Sequence, residues 1–199
     1  MTDFWTLGTE RYRYATREDL PAFARLLSDP EVGRWLWFAP LPAEAVDAYF
    51  GPLLDRQTQE LAAGETPQTA VFTVEDLRGE FLGQGAVVAV EASPGGSEIG
   101  FQLARAAWGR GVGTRLGRFL CAYAIEHCEA YRIEGACLEG NTSSAALLQK
   151  LGLRLEGTRP GYRLKQDVRH TELCFGREVR ELDAEALRKV AERTGLIRP

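Results

Sequence analysis

The sequence predicts a mixed α/β fold whose sheet is not wholly parallel. Segments 69–76, 81–90 and 97–104 have the composition of strands and are separated only by turns, which is typical of an antiparallel meander. From Gly111 onward, helical periodicity alternates with strands, which is typical of crossover connections. With 199 residues, of which 45% are hydrophobic, the chain can bury a sizeable core, and we expect a single domain over residues 1–199.

The individual elements follow from apolar spacing and from capping residues. RYRYAT (11–16) alternates like a strand, and Thr16 can cap the helix that follows. The aromatic, proline-broken segment 33–42 predicts a loop, Gly152 marks a helix end, and Asp183 can cap the last helix. The predicted order has seven strands, at 11–16, 69–76, 81–90, 97–104, 132–138, 153–165 and 168–179, and five helices, at 17–28, 42–63, 111–129, 142–151 and 184–194.

The composition excludes several classes of protein. No segment approaches the roughly 18 uninterrupted apolar residues of a membrane helix, and the first residues lack a signal-peptide pattern, so we expect a cytoplasmic protein with no membrane partner. The four cysteines form no C-x-x-C pair, and only His127 and His170 accompany them, so we expect reduced thiols and no metal site. A net charge of −4 argues against direct binding of nucleic acid.

The charge is unevenly distributed along the chain. Residues 1–100 carry 7 Lys and Arg against 16 Asp and Glu, or −9, whereas residues 101–199 carry 17 against 12, or +5. A basic second half suits a polyanionic ligand and an acidic first half suits a cationic one. A chance distribution of charged residues over a solvated surface would give the same counts.

AAWGRGVGTRLG (106–117) is the segment most informative about function. Gly109, Gly111 and Gly113 alternate between a predicted strand and an amphipathic helix. Glycine lets the backbone turn sharply, so several N–H groups and the positive helix end can converge on one phosphate. The charges of Arg110 and Arg115 are expected to add to that site. The alternative is a turn that only lets the strand and the helix pack closely.

Two nucleotide-binding motifs do not fit this loop. A Walker loop ends in Gly-Lys-Ser/Thr, and no such lysine is present. The dinucleotide fingerprint Gly-x-Gly-x-x-Gly fails from either starting glycine, because the sixth positions are Thr114 and Leu116. The sequence therefore disfavours an ATP site and a dinucleotide site.

WGRGVG (108–113) resembles the acyl-CoA loop of the GNAT superfamily of N-acyltransferases, which reads Gln/Arg-x-x-Gly-x-Gly/Ala. Trp108 in place of the first Gln or Arg is similar to the RimJ/RimL-type branch, which includes N-terminal acetyltransferases of ribosomal proteins. The resemblance covers a core of about residues 9–179 and leaves 181–199 as a C-terminal helical extension. Further segments that resemble this branch are 97–103, 141–157 and 168–178.

The resemblance implies a strongly twisted seven-stranded sheet with helices on both faces, splayed between its fourth and fifth strands, 97–104 and 132–138. It also implies acetyl-CoA as acyl donor in that cleft, with the pantetheine arm paired to the backbone of Phe101 and Leu103 and contacting Asn141. The alternative role of Asn141 is a helix cap. The implied cofactor-binding loop, with the pyrophosphate on the amides of 110–114, is Trp108, Gly109, Arg110, Gly111, Val112, Gly113 and Thr114.

Glu98 and Ser144 are the catalytic residues that the resemblance implies. Glu98 precedes Trp108 by ten residues, as in the RimJ/RimL-type pattern, and would take the proton of the amine through a water. Gly100 on the same strand face leaves space for a substrate. Ser144 would hydrogen-bond the departing thiolate, because Leu148 stands where many relatives have a tyrosine acid. A solvent-facing Glu98 and a helix-capping Ser144 are the alternatives.

The resemblance places the amine acceptor between the first two helices with their loop and the last hairpin, where Arg163 could also lie. Aromatic side chains there can hold an apolar group or a cation, or pack only in the core. We expect Leu187 and Val190 to be exposed on the terminal helix, where their apolar side chains would allow a homodimer. The implied acceptor residues are Trp35, Trp37, Phe38, Tyr49 and Tyr162.

The sequence therefore predicts an enzyme, an acetyl-CoA-dependent N-acetyltransferase that acts on a primary amine of a protein N-terminus or of a small molecule. Two alternatives stay open, namely another acyl donor such as succinyl-CoA and a CoA-binding module without catalysis. An arginine in the acyl pocket would favour succinyl-CoA, and the sequence alone places none there.

Overall fold

A single sheet organises the computed structural model, which describes residues 4–197. The strands are β1 (Trp5–Leu7), β2 (Glu10–Tyr14), β3 (Thr69–Asp76), β4 (Phe81–Ala89), β5 (Gly96–Leu103), β6 (Arg132–Leu138), β7 (Arg154–Lys165) and β8 (Val168–Glu178). The α-helices are α1 (Leu20–Ser28), α2 (Pro30–Gly33), α3 (Ala43–Ala62), α4 (Val112–Cys128), α5 (Thr142–Lys150) and α6 (Ala184–Thr194). The strand order across the sheet is β1-β2-β3-β4-β5-β6-β8-β7.

The sheet has eight strands, one more than the sequence predicts. The additional strand is β1, which pairs antiparallel with β2. Its three residues are too few to show an alternating pattern, so its partner and not its own sequence defines it as a strand. The other seven strands lie within a residue or two of their predicted bounds.

Helices cover both faces of the sheet, as predicted. In β3, Phe72 and Val74 pack in the same apolar cluster as Phe119 of α4, whereas Val71 packs with Phe23 of α1 and Leu54 of α3. This split follows from the period of two in a strand, which sends neighbouring residues to opposite faces. Of the helices in residues 4–197, none has the length and apolar content to cross a membrane.

The packing of α6 overturns the prediction that Leu187 and Val190 are exposed. Each is 7% exposed and belongs to the apolar cluster that α4 dominates. The apolar stripe of α6 is therefore covered by α4 and β1 of the same chain. These two residues offer no surface for a homodimer.

The sheet opens between β5 and β6, which confirms the predicted splay. These neighbours are parallel, and their pairing covers three residue pairs, from Gly96 opposite Arg132 to Glu98 opposite Glu134. Beyond Glu98 the two strands diverge toward their C-terminal ends. Because α4 is the crossover between them, its N-terminus lies at the end where the sheet opens.

A buried ion pair ties the first strands to α4. Arg115 of α4 donates from Nε and Nη2 to the Glu10 carboxylate at 2.5 and 2.7 Å, and the Glu10 side chain is 1% exposed. Burial raises the pKa of the Glu10 carboxyl, but the hydrogen bonds from Arg115 and Thr9 and the charge of Arg115 outweigh it and hold that pKa below its usual value. The carboxylate therefore stays ionised and neutralises Arg115.

We predict that Arg115→Met lowers the free energy of unfolding by about 3–5 kcal/mol at pH 7, because it leaves a buried carboxylate without its partner. Urea denaturation measures the change. Because the pKa of Glu10 is depressed in the folded state, the contribution of the pair is present at neutral pH and is lost as the pH falls through that pKa. The difference between the variant and the wild-type protein should therefore shrink in acid.

Arg17→Met is the matched control, because Arg17 binds Asp55 and Asp47 at the surface. Exposed pairs of this kind contribute little to stability, so the control should unfold near the wild-type midpoint. Equal losses in the two variants would contradict the role of the buried pair.

Candidate active site

The glycine loop before α4 has the conformation that its sequence predicts. Gly109 and Gly111 have φ of 71° and 75°, a left-handed region that favours glycine. Gly111 is the N-cap of α4, so the N–H groups of the next residues lack partners within the helix. A Cβ at Gly113 would lie 3.2 Å from the Leu147 side chain, so glycine also lets α4 approach α5 closely. The loop presents a positive helix end to the open side of the sheet.

Three residues that the sequence predicts for the phosphate site direct their side chains elsewhere, namely Arg110, Val112 and Arg115. Arg115 was expected to add charge to a phosphate site, but Glu10 binds its Nε and one Nη, and the Arg110 carbonyl accepts from the same Nη2 at 3.0 Å. The Arg110 side chain donates to the Ala106 carbonyl at 3.1 Å. The Val112 side chain is fully buried. The loop therefore offers backbone N–H groups more than side-chain charge.

One edge of β5 is left unpaired where the sheet opens. The Ala104 N–H donates to Leu82 and the Gly96 carbonyl accepts from Val90, so the even-numbered residues of β5 direct their backbone groups toward β4. The odd-numbered residues, among them Phe101 and Leu103, direct theirs toward the gap. The Trp108 indole N–H donates to the Leu103 carbonyl at 2.9 Å and so fixes the end of this edge.

A cavity of about 700 Å³ occupies the gap. Four of the predicted site residues do not line this cavity, namely Tyr49, Arg110, Val112 and Tyr162. Among residues 4–197, no group of three His, Cys, Asp or Glu side chains is placed to hold a metal ion. The predicted site residues that line the cavity are Trp35, Trp37, Phe38, Glu98, Phe101, Leu103, Trp108, Gly109, Gly111, Gly113, Thr114, Asn141 and Ser144.

Glu98 lies in the cavity wall, at the last paired position of β5 before the strands diverge. Its side chain is exposed to solvent at the open cavity. Partial desolvation of the carboxyl by the cavity wall still raises its pKa, and the charge of Glu134, its neighbour across the β5–β6 ladder, raises it further, while Arg163 opposes the increase. A Cβ at Gly100 would meet nothing within 4 Å, so the space beside Glu98 is open. A carboxylate with a raised pKa next to open space is suited to accept a proton.

Asn141 and Ser144 lie together at the start of α5. Asn141 is the N-cap of that helix, and its side-chain oxygen accepts from the Ser144 N–H at 3.2 Å. The capping role that the sequence left open for Asn141 is therefore present, and the residue lines the cavity as well. Burial raises the pKa of the Cys137 thiol, and a hydrogen bond with the Ser144 side chain partly offsets that increase. Leu148, the position for which the resemblance predicts a tyrosine in many members, is 1% exposed.

Lys165, which lies in no motif, holds the aromatic loop 34–42 against β7. Its Nζ donates to the carbonyls of Gly33, Leu36 and Ala39 at 2.7, 2.6 and 2.5 Å. One ammonium group thus satisfies three acceptors of an otherwise irregular segment. This loop carries Trp35 and Trp37 of the cavity, so Lys165 fixes that wall from more than 120 residues away in the chain.

Tyr49 and Tyr162 lie outside the cavity. Tyr49 is 62% exposed on α3 and contacts the edge of Phe50, so the structure does not bring it to the predicted acceptor site. Tyr162 is 51% exposed and lies beneath the guanidinium groups of Arg159 and Arg163. Tyr162 therefore borders the site only through an arginine.

Arg163 and Glu172 join the cavity wall from the last two strands. Glu172 is 3% exposed and accepts from Arg163 Nε at 2.5 Å and from Arg159 at 3.2 Å. The sequence left Arg163 as an open candidate and gave no signal for Glu172. No local pattern marks a pair that forms between neighbouring strands.

Comparison with known proteins agrees with this architecture. Residues 11–154 match the family model described as an acetyltransferase (GNAT) domain. The chain is 26% identical over 159 residues to the uncharacterized N-acetyltransferase p20 of Bacillus licheniformis, a match that covers 79% of this chain and 86% of that protein.

Two solved structures show the same fold. RimJ of Mycobacterium smegmatis in complex with CoA-disulfide has a TM-score of 0.74 at 21% identity, over 93% of this chain and 89% of that one. Spermidine N-acetyltransferase of Vibrio cholerae in complex with CoA and spermine has a TM-score of 0.71 at 14% identity, over 87% of this chain and 97% of that one.

We predict that Lys165→Met increases hydrogen–deuterium exchange of the loop amides in 34–42. The variant keeps the apolar stem but removes the charge-assisted hydrogen bonds to three carbonyls, each typically stabilising by about 1.5–3 kcal/mol. Exchange in α4 should stay at the wild-type level, because the hydrogen bonds of Lys165 go to the carbonyls of Gly33, Leu36 and Ala39. Lys189→Met, which removes an exposed ammonium from α6, is the control. Unchanged exchange in 34–42 would contradict the role of Lys165.

Proposed function

The chain belongs to the GNAT acetyltransferase family, and from this premise we propose that it moves an acetyl group directly from acetyl-CoA to a primary amine of a protein N-terminus or of a small molecule. We further propose that residues 1–199 form one such domain, with a core over 9–179 and a helical extension over 181–199. The divergence of β5 and β6 beside the N-terminus of α4 is the observation that carries the proposal.

The donor side of the proposed site uses backbone groups. In this proposal the amides of residues 110–114 hold the pyrophosphate, since they lie at the start of α4. The pantetheine arm pairs with the unpaired edge of β5 at Phe101 and Leu103. Asn141 borders the same cavity and offers its side-chain amide nitrogen, because its oxygen already caps α5.

The proposed chemistry needs a neutral amine, a polarised thioester and a stabilised thiolate. Glu98 takes a proton from the acceptor ammonium through a water, and the neutral nitrogen then attacks the thioester carbonyl carbon. The Leu103 N–H polarises that carbonyl. As the C–N bond forms, the C–S bond breaks, and the hydroxyl of Ser144 donates a hydrogen bond to the leaving sulfur. The nitrogen then releases its remaining excess proton to water and becomes the amide, and the thiolate takes a proton from water and becomes the thiol of CoA.

The acceptor enters from the wall made by Trp35, Trp37 and Phe38 in this proposal. Flat apolar rings there can pack the body of an amine while Glu98 holds its reacting end. A longer, acidic acyl group such as succinyl is the second candidate for the donor, because Arg163 lines the same cavity.

We predict that acetyl-CoA raises the melting temperature and that ATP does not. At about 100 times its Kd, a ligand of the folded state adds about 2.7 kcal/mol of stability, which a thermal melt detects. Gly109→Asp should abolish the shift, because a carboxylate would occupy the anion site. Gly109→Asn is the matched control, since both side chains tolerate positive φ and a Cβ at Gly109 meets nothing within 4 Å. No shift with any CoA ester would refute the proposal.

We predict that Glu98→Gln lowers kcat by about 10²–10⁴ without changing the Kd for acetyl-CoA. Turnover is followed by release of CoA with a panel of amines that contains peptides, polyamines and amino acids. The base works when deprotonated, so its raised pKa puts the acid limb of the rate profile above that of an ordinary glutamate. Glu134→Gln removes a neighbouring negative charge and should move this limb to lower pH. Wild-type kcat in Glu98→Gln would exclude Glu98 as the base.

A further inference from the structure

Building on the proposed function, we propose that Arg163 binds a carboxylate that one of the two substrates brings into the cavity. Two sources have this chemistry. One is the free end of a dicarboxylic acyl chain on CoA, and the other is the α-carboxylate of an amino acid acceptor. In both cases the anion lies on the same molecule as the reacting group and is held within the cavity that contains Glu98.

The guanidinium of Arg163 is held in place on several sides. Its Nε donates to Glu172 at 2.5 Å, and its central carbon lies 4.7 Å from the Trp37 ring centroid and 5.0 Å from that of Tyr162. The side chain is 26% exposed and lines the cavity. An arginine fixed in this way loses little entropy when it binds a planar anion.

The terminal nitrogens of Arg163 have donors to spare. Of its five N–H groups, the Nε group is used by Glu172, and within residues 4–197 the two Nη atoms donate no hydrogen bond. Arg13 and Arg132 are buried to a similar degree, and each contacts two carboxylates. Arg163 therefore keeps a free fork of donors with the geometry that a carboxylate accepts.

Arg163 shares its buried carboxylate with a second arginine. Glu172 is 3% exposed and is shared by Arg163 and Arg159, so two guanidinium groups face one buried carboxylate. Arg163 lines the cavity and Arg159 does not. Glu98 and Glu172 line the same cavity, so the free Nη donors of Arg163, and not an excess of positive charge, are what would select a carboxylate. Arg163 also opposes the increase in the pKa of Glu98, which places its charge within electrostatic reach of the proposed base.

The test compares pairs of ligands that differ by one carboxylate. In the donor arm, calorimetry gives the Kd of succinyl-CoA and of acetyl-CoA. In the acceptor arm, kcat/KM is measured with acetyl-CoA for L-amino acids and for the amines that remain when their carboxylate is removed. We expect the wild-type protein to prefer the carboxylate-bearing partner by about 10- to 100-fold in one arm, and that arm identifies the source.

The variant Arg163→Gln should lose this preference while its Kd for acetyl-CoA changes by less than about threefold. Arg159→Gln is the matched control, because Arg159 contacts the same Glu172 and Tyr162 outside the cavity, and it should keep the preference. Should Arg163→Gln fail to fold, Arg163→Lys keeps the charge without the fork and should lose most of the preference.

The proposal is overturned if neither arm shows a preference in the wild-type protein, or if the preference survives in the Arg163 variants. Failure of the proposed function is distinguishable, because it would appear as absence of acetyl-CoA binding in the wild-type protein itself.

Discussion

The early divergence of two parallel strands is the constraint on which the site depends. After Glu98, β5 and β6 stop pairing, and the backbone groups of Phe101 and the N–H of Leu103 are left facing a gap, while the Leu103 carbonyl accepts from Trp108. Buried backbone donors and acceptors need partners, so an edge of this kind in the middle of a sheet is suited to an extended ligand. The crossover helix α4 starts at the same end, and its free N–H groups add an anion site to that edge.

Charge is distributed around this gap in two different ways. On the donor side, Arg115 is paired with the buried Glu10, and the Arg110 side chain donates to the Ala106 carbonyl. The loop therefore offers mainly backbone dipoles. On the acceptor side, one buried carboxylate, Glu172, is shared by two arginines, and one of them keeps unused donors at the cavity wall. The first arrangement stabilises the fold, and the second leaves hydrogen-bond donors available for a ligand.

The acceptor wall is assembled from distant parts of the chain. Loop 34–42 brings Trp35 and Trp37. Lys165, at the end of β7, supplies the ammonium that binds the carbonyls of Leu36 and Ala39 in this loop and of Gly33 beside it. The ring of Trp37 in turn contacts the guanidinium of Arg163. The position of the loop thus depends on the last hairpin, so the two sides of the acceptor wall form together.

Apart from the short elements β1 and α2, local patterns in the sequence determined the order of the helices and strands. They also determined the glycine loop with its positive φ values at Gly109 and Gly111. These properties depend on periodicity and on backbone conformation within a few residues, and both are visible in the sequence. Only the tertiary structure decided that Arg115 pairs with Glu10, 105 residues away, and that Lys165 holds the aromatic loop. Contacts between side chains far apart in the chain leave no local pattern, because packing of the whole sheet brings the partners together.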